Sequence, residues 1–448
     1  MLEVRDAEAR AAALIDAALK SGADAADALY AGDASTGIQV RLGELEDVMR
    51  SDGEEIGLRV FVGQRTASVS SSDLSADALA SLVERAVAMA REAPEDPHAV
   101  LAPSELLWRG EAPDLEADDG ADPDPVALKA RALETEEAAR AHPKVTNSEG
   151  AGMSTGRTVI ALATSAGFAH GYTSSGYSGW ASVIAGEGSA MQRDHASHNA
   201  RHFSDLDSPA ALGALAADRA VARLNPGKLP SGMMPVLFDP RVAGGLIGHL
   251  LGAISGPSIA RKSSFLLGRE DEPVFAEGIN IVDDPHRRRG LKSKPFDGEG
   301  VATSRKLLVE RGRLTGWLLN AASAHQLGLA LTGHATRGVG GAPGVGATNV
   351  HLEPGALTPA ALRADVKQGL YVTELIGQGL NPVTGDYSRG ASGFLIGNGE
   401  IGAPVAEITI AGNLLDMYRN LAAANDLEFR RTVNAPTIRI DGMTVAGA

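Results

Sequence analysis

The segment Asn225-Pro-Gly-Lys-Leu-Pro-Ser-Gly232 places two prolines and two glycines within eight residues. Proline fixes φ and removes an amide donor, while glycine leaves the backbone unrestrained, so this composition marks a connection rather than an element. Upstream of it, helical and strand-like patterns alternate. Ala11, Leu14, Ile15, Ala18 and Leu19 recur at helical spacing and stop at Gly22. A second helix is expected after Ser75, a residue suited to an N-cap, with Leu79, Leu82, Val83, Ala86, Val87 and Ala90 on one face. A third, from about Pro125 to Ala141, and a fourth, from about Pro209 to Leu224, each open on proline. Between them lie β-like runs, Ala28–Tyr30, Ile38–Arg41, Ile56–Val62 and Thr66–Ser70, punctuated by Gly43, Gly53 and Gly63, and a longer β stretch over Val145–Gly186. The acidic, proline-bearing residues 109–125 read as a solvated loop. Downstream, short strands and glycine turns dominate. The expected fold is α+β: an N-terminal helix-and-sheet domain over 1–224, a linker over 225–232, and a β-rich, barrel-like C-terminal domain over 233–448.

The chain of 448 residues carries 41 basic and 56 acidic side chains, for a net charge of −15. Such a chain repels a phosphate backbone unless it segregates a basic patch. Its dense basic run, Arg287–Arg289 with Lys292 and Lys294 after it, reads as a solvated loop, so nucleic acid is not expected as a partner. The absence of cysteine excludes disulfides, thiolate zinc sites and cysteine nucleophiles. Met1–Lys20 lacks the basic flank and apolar run of a signal peptide, and no apolar stretch is long enough to span a bilayer. A cytoplasmic protein without a membrane partner is expected.

Familiar catalytic patterns fail in context. HExxH is absent. His195, His198 and His202 share roughly one face of a helix, but no apolar stripe would hold that helix down; on a strand His195 points away from the other two. Gly152-Met-Ser154-Thr-Gly156 matches G-x-S-x-G, yet a polar stretch precedes it and a strand-like one follows, the reverse of a nucleophile elbow, so a hairpin turn is expected at Ser154. Ser255 and Ser258 sit beside glycine and proline as turn residues do. The glycine-rich stretch Arg337–Asn349 has Pro343 where a dinucleotide fingerprint wants glycine and lacks the lysine of a P-loop; it reads as a cleft-lining loop. Asp283–Asp284, and Asp297 with Glu299, are paired carboxylates better suited to turns and strand ends than to acid–base work.

Several stretches, in order, carry a resemblance to a known family. They are Gly57–Ser75 (GLRVFVGQRTASVSSSDLS) and Val145–Ser154 (VTNSEGAGMS), then Asn280–Gly328, which contains PHRRRGLKSKPFDGEGVATSRKLLVERGRLTGW. Thr384–Ile401 (TGDYSRGASGFLIGNGEI), Ala411–Leu421 (AGNLLDMYRNL) and Ala435–Gly447 (APTIRIDGMTVAG) complete the set. The ordered set resembles the TldD/PmbA family, and specifically its PmbA (TldE) branch. The resemblance implies a heteromeric cytoplasmic metallopeptidase acting on unstructured peptides. In it a TldD-like partner subunit carries zinc on a His-Glu-x-x-x-His motif, and this chain shapes the substrate cavity. The corresponding segment, AGGLIGHLLGAISG, puts Gly248 and Ala253 at the histidine positions and His249 at the glutamate position; shifting the frame to His249 gives Leu250 and Ile254. Neither frame supplies donors, so no catalytic residue, metal ligand or cofactor is expected in this chain. Residues expected near the peptide cleft are Gly248, His249, Arg337, Thr348 and Asn349, with a strand edge of the C-terminal domain to receive the peptide. The alternative is a stand-alone peptide-binding or scaffold protein that forms a homodimer when isolated.

Overall fold

The computed structural model describes residues 1–447. The N-terminal part runs α1 (Val4–Lys20), β1 (Ala25–Arg41), β2 (Glu44–Val62), β3 (Arg65–Ser71), α2 (Ala76–Glu92), α3 (Pro125–Arg140), β4 (Val145–Thr164), β5 (Phe168–Ala185), β6 (Gln192–Ala200) and α4 (Pro209–Ala222). Its strands form one antiparallel sheet in the order β3-β2-β1-β4-β5-β6. The side chains of Ser75, Asp124 and Ser208 cap α2, α3 and α4 as their positions before the helices require.

β1 and β2 are far longer than their apolar runs suggest. The two runs Ala28–Tyr30 and Ile38–Arg41 belong to one strand, and Gly53 pairs with Asp33 inside β2 instead of turning the chain. Ser154, expected in a hairpin, lies mid-strand in β4, opposite Gly37 and Ser178. Partners on both flanks supply ladder hydrogen bonds that outweigh the weak strand preference of Gly and Ser.

Strand periodicity gives the sheet two unlike faces. On one face, Ala28, Tyr30, Ile56, Leu58, Val159 and Ala161 pack under α1 and α2, while Ile38, Val40, Met153, Ala181 and Val183 pack under α3 and α4. The other face carries no helix. Its near end, at Leu29, Leu162 and Phe168, is covered by Phe296 and Val301 of the C-terminal domain.

That domain runs β7 (Gly232–Phe238), α5 (Pro240–Ala253), α6 (Gly256–Ala260), β8 (Ile281–Asp283), β9 (Lys306–Glu310), β10 (Arg313–Leu314), α7 (Ala321–Leu327), β11 (Ala335–Thr336), β12 (Gly344–Val345) and β13 (Val350–Leu352). It continues through α8 (Pro359–Arg363), β14 (Gln368–Ile376), β15 (Asp386–Gly397), β16 (Glu400–Asn413), α9 (Leu414–Arg419), β17 (Leu421–Ala423), β18 (Val433–Asn434) and β19 (Ile438–Ala446). The order β16-β15-β14-β7-β19 closes on itself where Thr409–Ala411 of β16 pair with Thr444–Ala446 of β19. The result is a five-stranded barrel in an α+β chain. β8, β9, β10, β13 and β18 form a second, smaller sheet. α5 follows β7 directly and buries Leu246, Ile247 and Leu250 in a core shared with Val236, Phe238, Val372, Ile410 and Ile440. Tyr418 lies in that core too, stacked on Phe275 and donating to the Leu246 carbonyl at 2.8 Å.

Two segments expected to be solvated loops are loops, and they also meet each other. Arg288 pairs with Asp114 and Glu116, Arg289 pairs with Glu116 and Asp205, and Leu115 between the acids is buried. The acidic and basic runs neutralise one another across the two domains.

Candidate functional site

The helix-free face of the sheet opens beyond Leu29 into a trough. Ser35, Gly37, Ser154, Gly156, Gly176 and Ser178 form its floor, and their small side chains let another backbone approach closely. Through Asn199, Ala200 and Leu291 the floor continues into a pocket of about 260 Å³ edged by Arg201, Arg287 and Asn349. Through Asn199, Arg431 and Asn434 that pocket joins a cleft of about 420 Å³, bounded by His195 and Ser197 of β6, Arg219 of α4, Pro240 and Arg241 at the start of α5, and residues 426–435. β6 is the outermost strand and pairs only with β5, so one row of its backbone donors and acceptors faces this cleft. The five barrel strands, by contrast, are closed. One edge available to an extended chain in the trough is therefore β6 of the N-terminal sheet; in the C-terminal domain the short edge strand β18, Val433–Asn434, borders the same cleft.

Charged groups fix the cleft. Asp194 of β6 binds Arg241 of α5 at 3.0 Å and Arg223, just past α4, at 3.5 Å. Asp239 caps α5 through the Arg241 amide at 2.9 Å and accepts from the Tyr371 hydroxyl at 2.9 Å. Burial, then the Asp239 charge, push the Tyr371 phenol far above its ordinary range. Arg430 is neutralised by Asp207 at 2.8 Å and by Glu428 at 3.2 Å.

The three histidines lie on β6 and just beyond it, on extended backbone. His195 points into the cleft with 64% of its side chain exposed, while His198 turns to Asp207 and His202 to the Glu116 carbonyl. Burial lowers the pKa of His195, and the charges of Arg241, Arg219 and Arg431 act in the same direction, opposed by Asp194. Ser255 stands just before the short α6, without a side-chain cap bond, and Ser258 lies within it. Asp297 and Glu299 are both buried and bonded to backbone amides: Asp297 to Glu299, Val301 and Ala335, Glu299 to Ala321 at the start of α7.

The five residues expected near a cleft are dispersed. Gly248 is exposed on α5, with open space where a Cβ would sit. His249, half-buried, meets the Tyr387 ring edge-on at 5.8 Å, and burial lowers its pKa. Arg337 points away from the trough: its side chain is 2% exposed and is paired with Asp27 of β1, which also holds Arg59. Thr348 is buried against Asp283, and its amide donates to that carboxylate at 2.9 Å. Asn349 braces Ser293 and the Lys292 amide from the wall of the smaller pocket. Reading the sequence misses Arg219, Arg431 and the floor. The available signal for the floor is the alternation of Ser and Gly at Ser174, Gly176 and Ser178, where a period of two places small residues on one side of β5.

Family models describe three consecutive parts of the chain: PmbA/TldA metallopeptidase domain 1 over residues 26–90, the central domain over 118–224 and the C-terminal domain over 231–447. The metalloprotease PmbA of Escherichia coli O157:H7 is 41% identical over 417 residues, covering 92% of this chain and 90% of the relative. The chain belongs to the TldD/PmbA metallopeptidase family. A PmbA homolog of Haemophilus influenzae is 40% identical over the full length of this chain and 98% of its own. The crystal structure of TldE from Thermococcus kodakarensis superposes with a TM-score of 0.88 over 98% of this chain and all of that one; at 21% identity it speaks for the fold alone.

A metallopeptidase family raises the question whether this chain's residues suit a metal. On α5 they do not. Gly248 has no side chain, Ala253 is a buried methyl, and His249 stands against an aromatic ring. Among the described residues no group of three or more histidine, aspartate and glutamate side chains is arranged to hold a metal ion. A hydrolytic metal needs at least three such donors, so no step through a metal is assigned to this chain. No helix is long and apolar enough to cross a membrane.

Proposed function

We propose that the chain is the non-catalytic subunit of a heteromeric metallopeptidase that trims unstructured peptides in the cytoplasm. It shapes the substrate cavity while a TldD-like partner supplies zinc. The observation that carries this reading is α5, where a metallopeptidase-family helix presents glycine and alanine in place of donors, while its first residues, Pro240 and Arg241, border a cleft with a free strand edge. A trough floored by Ser and Gly lets an extended backbone approach the sheet closely.

Co-expression with a TldD-like chain tests it: a stable 1:1 complex, with peptidase activity well above that of either chain, is the expected result. Stoichiometric zinc in the isolated chain, lost together with peptidase activity on chelation, would overturn it. The competing reading is a stand-alone peptide-binding homodimer. It is favoured by the outer edge of β2 over Glu44–Glu55, which β3 does not cover and where Leu45, Val48 and Met49 are exposed. Light scattering of the two chains mixed and apart separates the assemblies.

A further inference from the structure

Four arginines line the cleft, and two of them have carboxylate partners. Arg241 has Asp194 and Arg430 has Asp207. The other two do not. Arg219 donates only to the His195 carbonyl, at 3.0 Å, and the Arg431 guanidinium has no hydrogen-bond acceptor among the described residues. Both line the one cleft into which the free edge of β6 opens, and the charges of Arg241 and Arg431 act on Arg219 against those of Asp194 and Asp239, neither of which bonds to it. Unneutralised cations gathered at one cavity repel each other, and an incoming anion relieves that repulsion while gaining charge-assisted hydrogen bonds.

We propose that Arg219 and Arg431 form a carboxylate-binding subsite for an extended peptide paired along the edge of β6. This rests on the peptide-binding reading above and adds to it a chemical group and a location. The carboxylate is either the peptide's own C-terminus or an acidic side chain. A planar, forked guanidinium suits both, whereas the acidic surface elsewhere repels both.

Fluorescence anisotropy decides it, using the full chain alone and in complex with its chelated metal-bearing partner. The probes are one N-terminally labelled peptide in three forms: C-terminal acid, C-terminal amide, and the amide with a single glutamate. One carboxylate-bearing form binding about tenfold tighter than the plain amide is the expected result, and which form does so identifies the source. Arg431→Gln and Arg219→Gln should each bring that form to the level of the amide and leave the amide unchanged, whereas Arg431→Lys retains part of the preference. Arg431 has no side-chain partner to lose, so its variants keep the wild-type melting temperature and report on binding alone. Equal binding of all three forms, or a preference that survives the double substitution, overturns the subsite and leaves the peptide reading standing. No binding of any form in either preparation overturns both.

Discussion

Arg337 joins the two domains through one buried ion pair. Its guanidinium reaches from the glycine-rich loop to Asp27, which already holds Arg59. Arg337→Ala leaves that carboxylate half satisfied and opens a void, and is expected to cost about 2 kcal/mol in urea unfolding. Glu299 behaves differently. Burial, followed by the nearby Asp297 charge, raises its pKa from 4.5 to about 7, against the pull of the Ala321 amide. Between pH 4.5 and 7 the folded protein holds a proton that the unfolded chain has released, so stability falls as pH rises through that window and levels off above it. Glu299→Gln should remove that slope, worth up to about 3 kcal/mol, when urea midpoints are compared from pH 4.5 to 8. At this scale the sequence was partly legible. The assignment of Asp297 and Glu299 to backbone hydrogen bonding rested on ordinary carboxylate chemistry, and both do bond amides. Of the polar residues of the glycine-rich stretch, Asn349 edges the smaller pocket, while Arg337 and Thr348 turn inward to Asp27 and Asp283. Local composition records the looseness of a loop but not which polar side chains it turns inward.

Helices could be read closely because their signals are local. Ser75, Pro125 and Pro209 mark starts that the structure places within a residue. The strands were cut short because Gly32–Gly37 and Glu44–Gly53 earn their strand character from neighbours distant in sequence. Two glycines illustrate opposite constraints. Gly57 of β2 lies under the 337–341 loop, where a Cβ would overlap the Val339 carbonyl oxygen. Gly57→Ala should destabilise the protein by about 1–3 kcal/mol through overpacking. Gly248 has open space on a helix. Gly248→Ala should therefore raise stability by up to about 1 kcal/mol, measured by thermal melting. If the bare helix face contacts peptide in the assembled enzyme, the same variant lowers turnover while the melting temperature rises.

For the molecule as a whole, the α+β class and the barrel-like C-terminal part were legible, and the contacts between the parts on either side of 225–232 were not. The acidic loop and the arginine run were each judged alone, and only the fold reveals them as partners. These pairs are largely exposed, so Arg289→Ala should leave the global melting temperature close to the wild-type value. It should nevertheless hasten limited proteolysis within 109–125, and added salt should do the same to the wild type. The barrel has a further consequence, for biosynthesis. β7 opens the domain at Gly232, yet its antiparallel neighbour β19, which also seals the barrel against β16, begins only at Ile438. All of residues 233–437 must leave the ribosome before this seam can close. Until then β7 and β16 wait with bare hydrogen-bonding edges, the period in which a chaperone would be needed most.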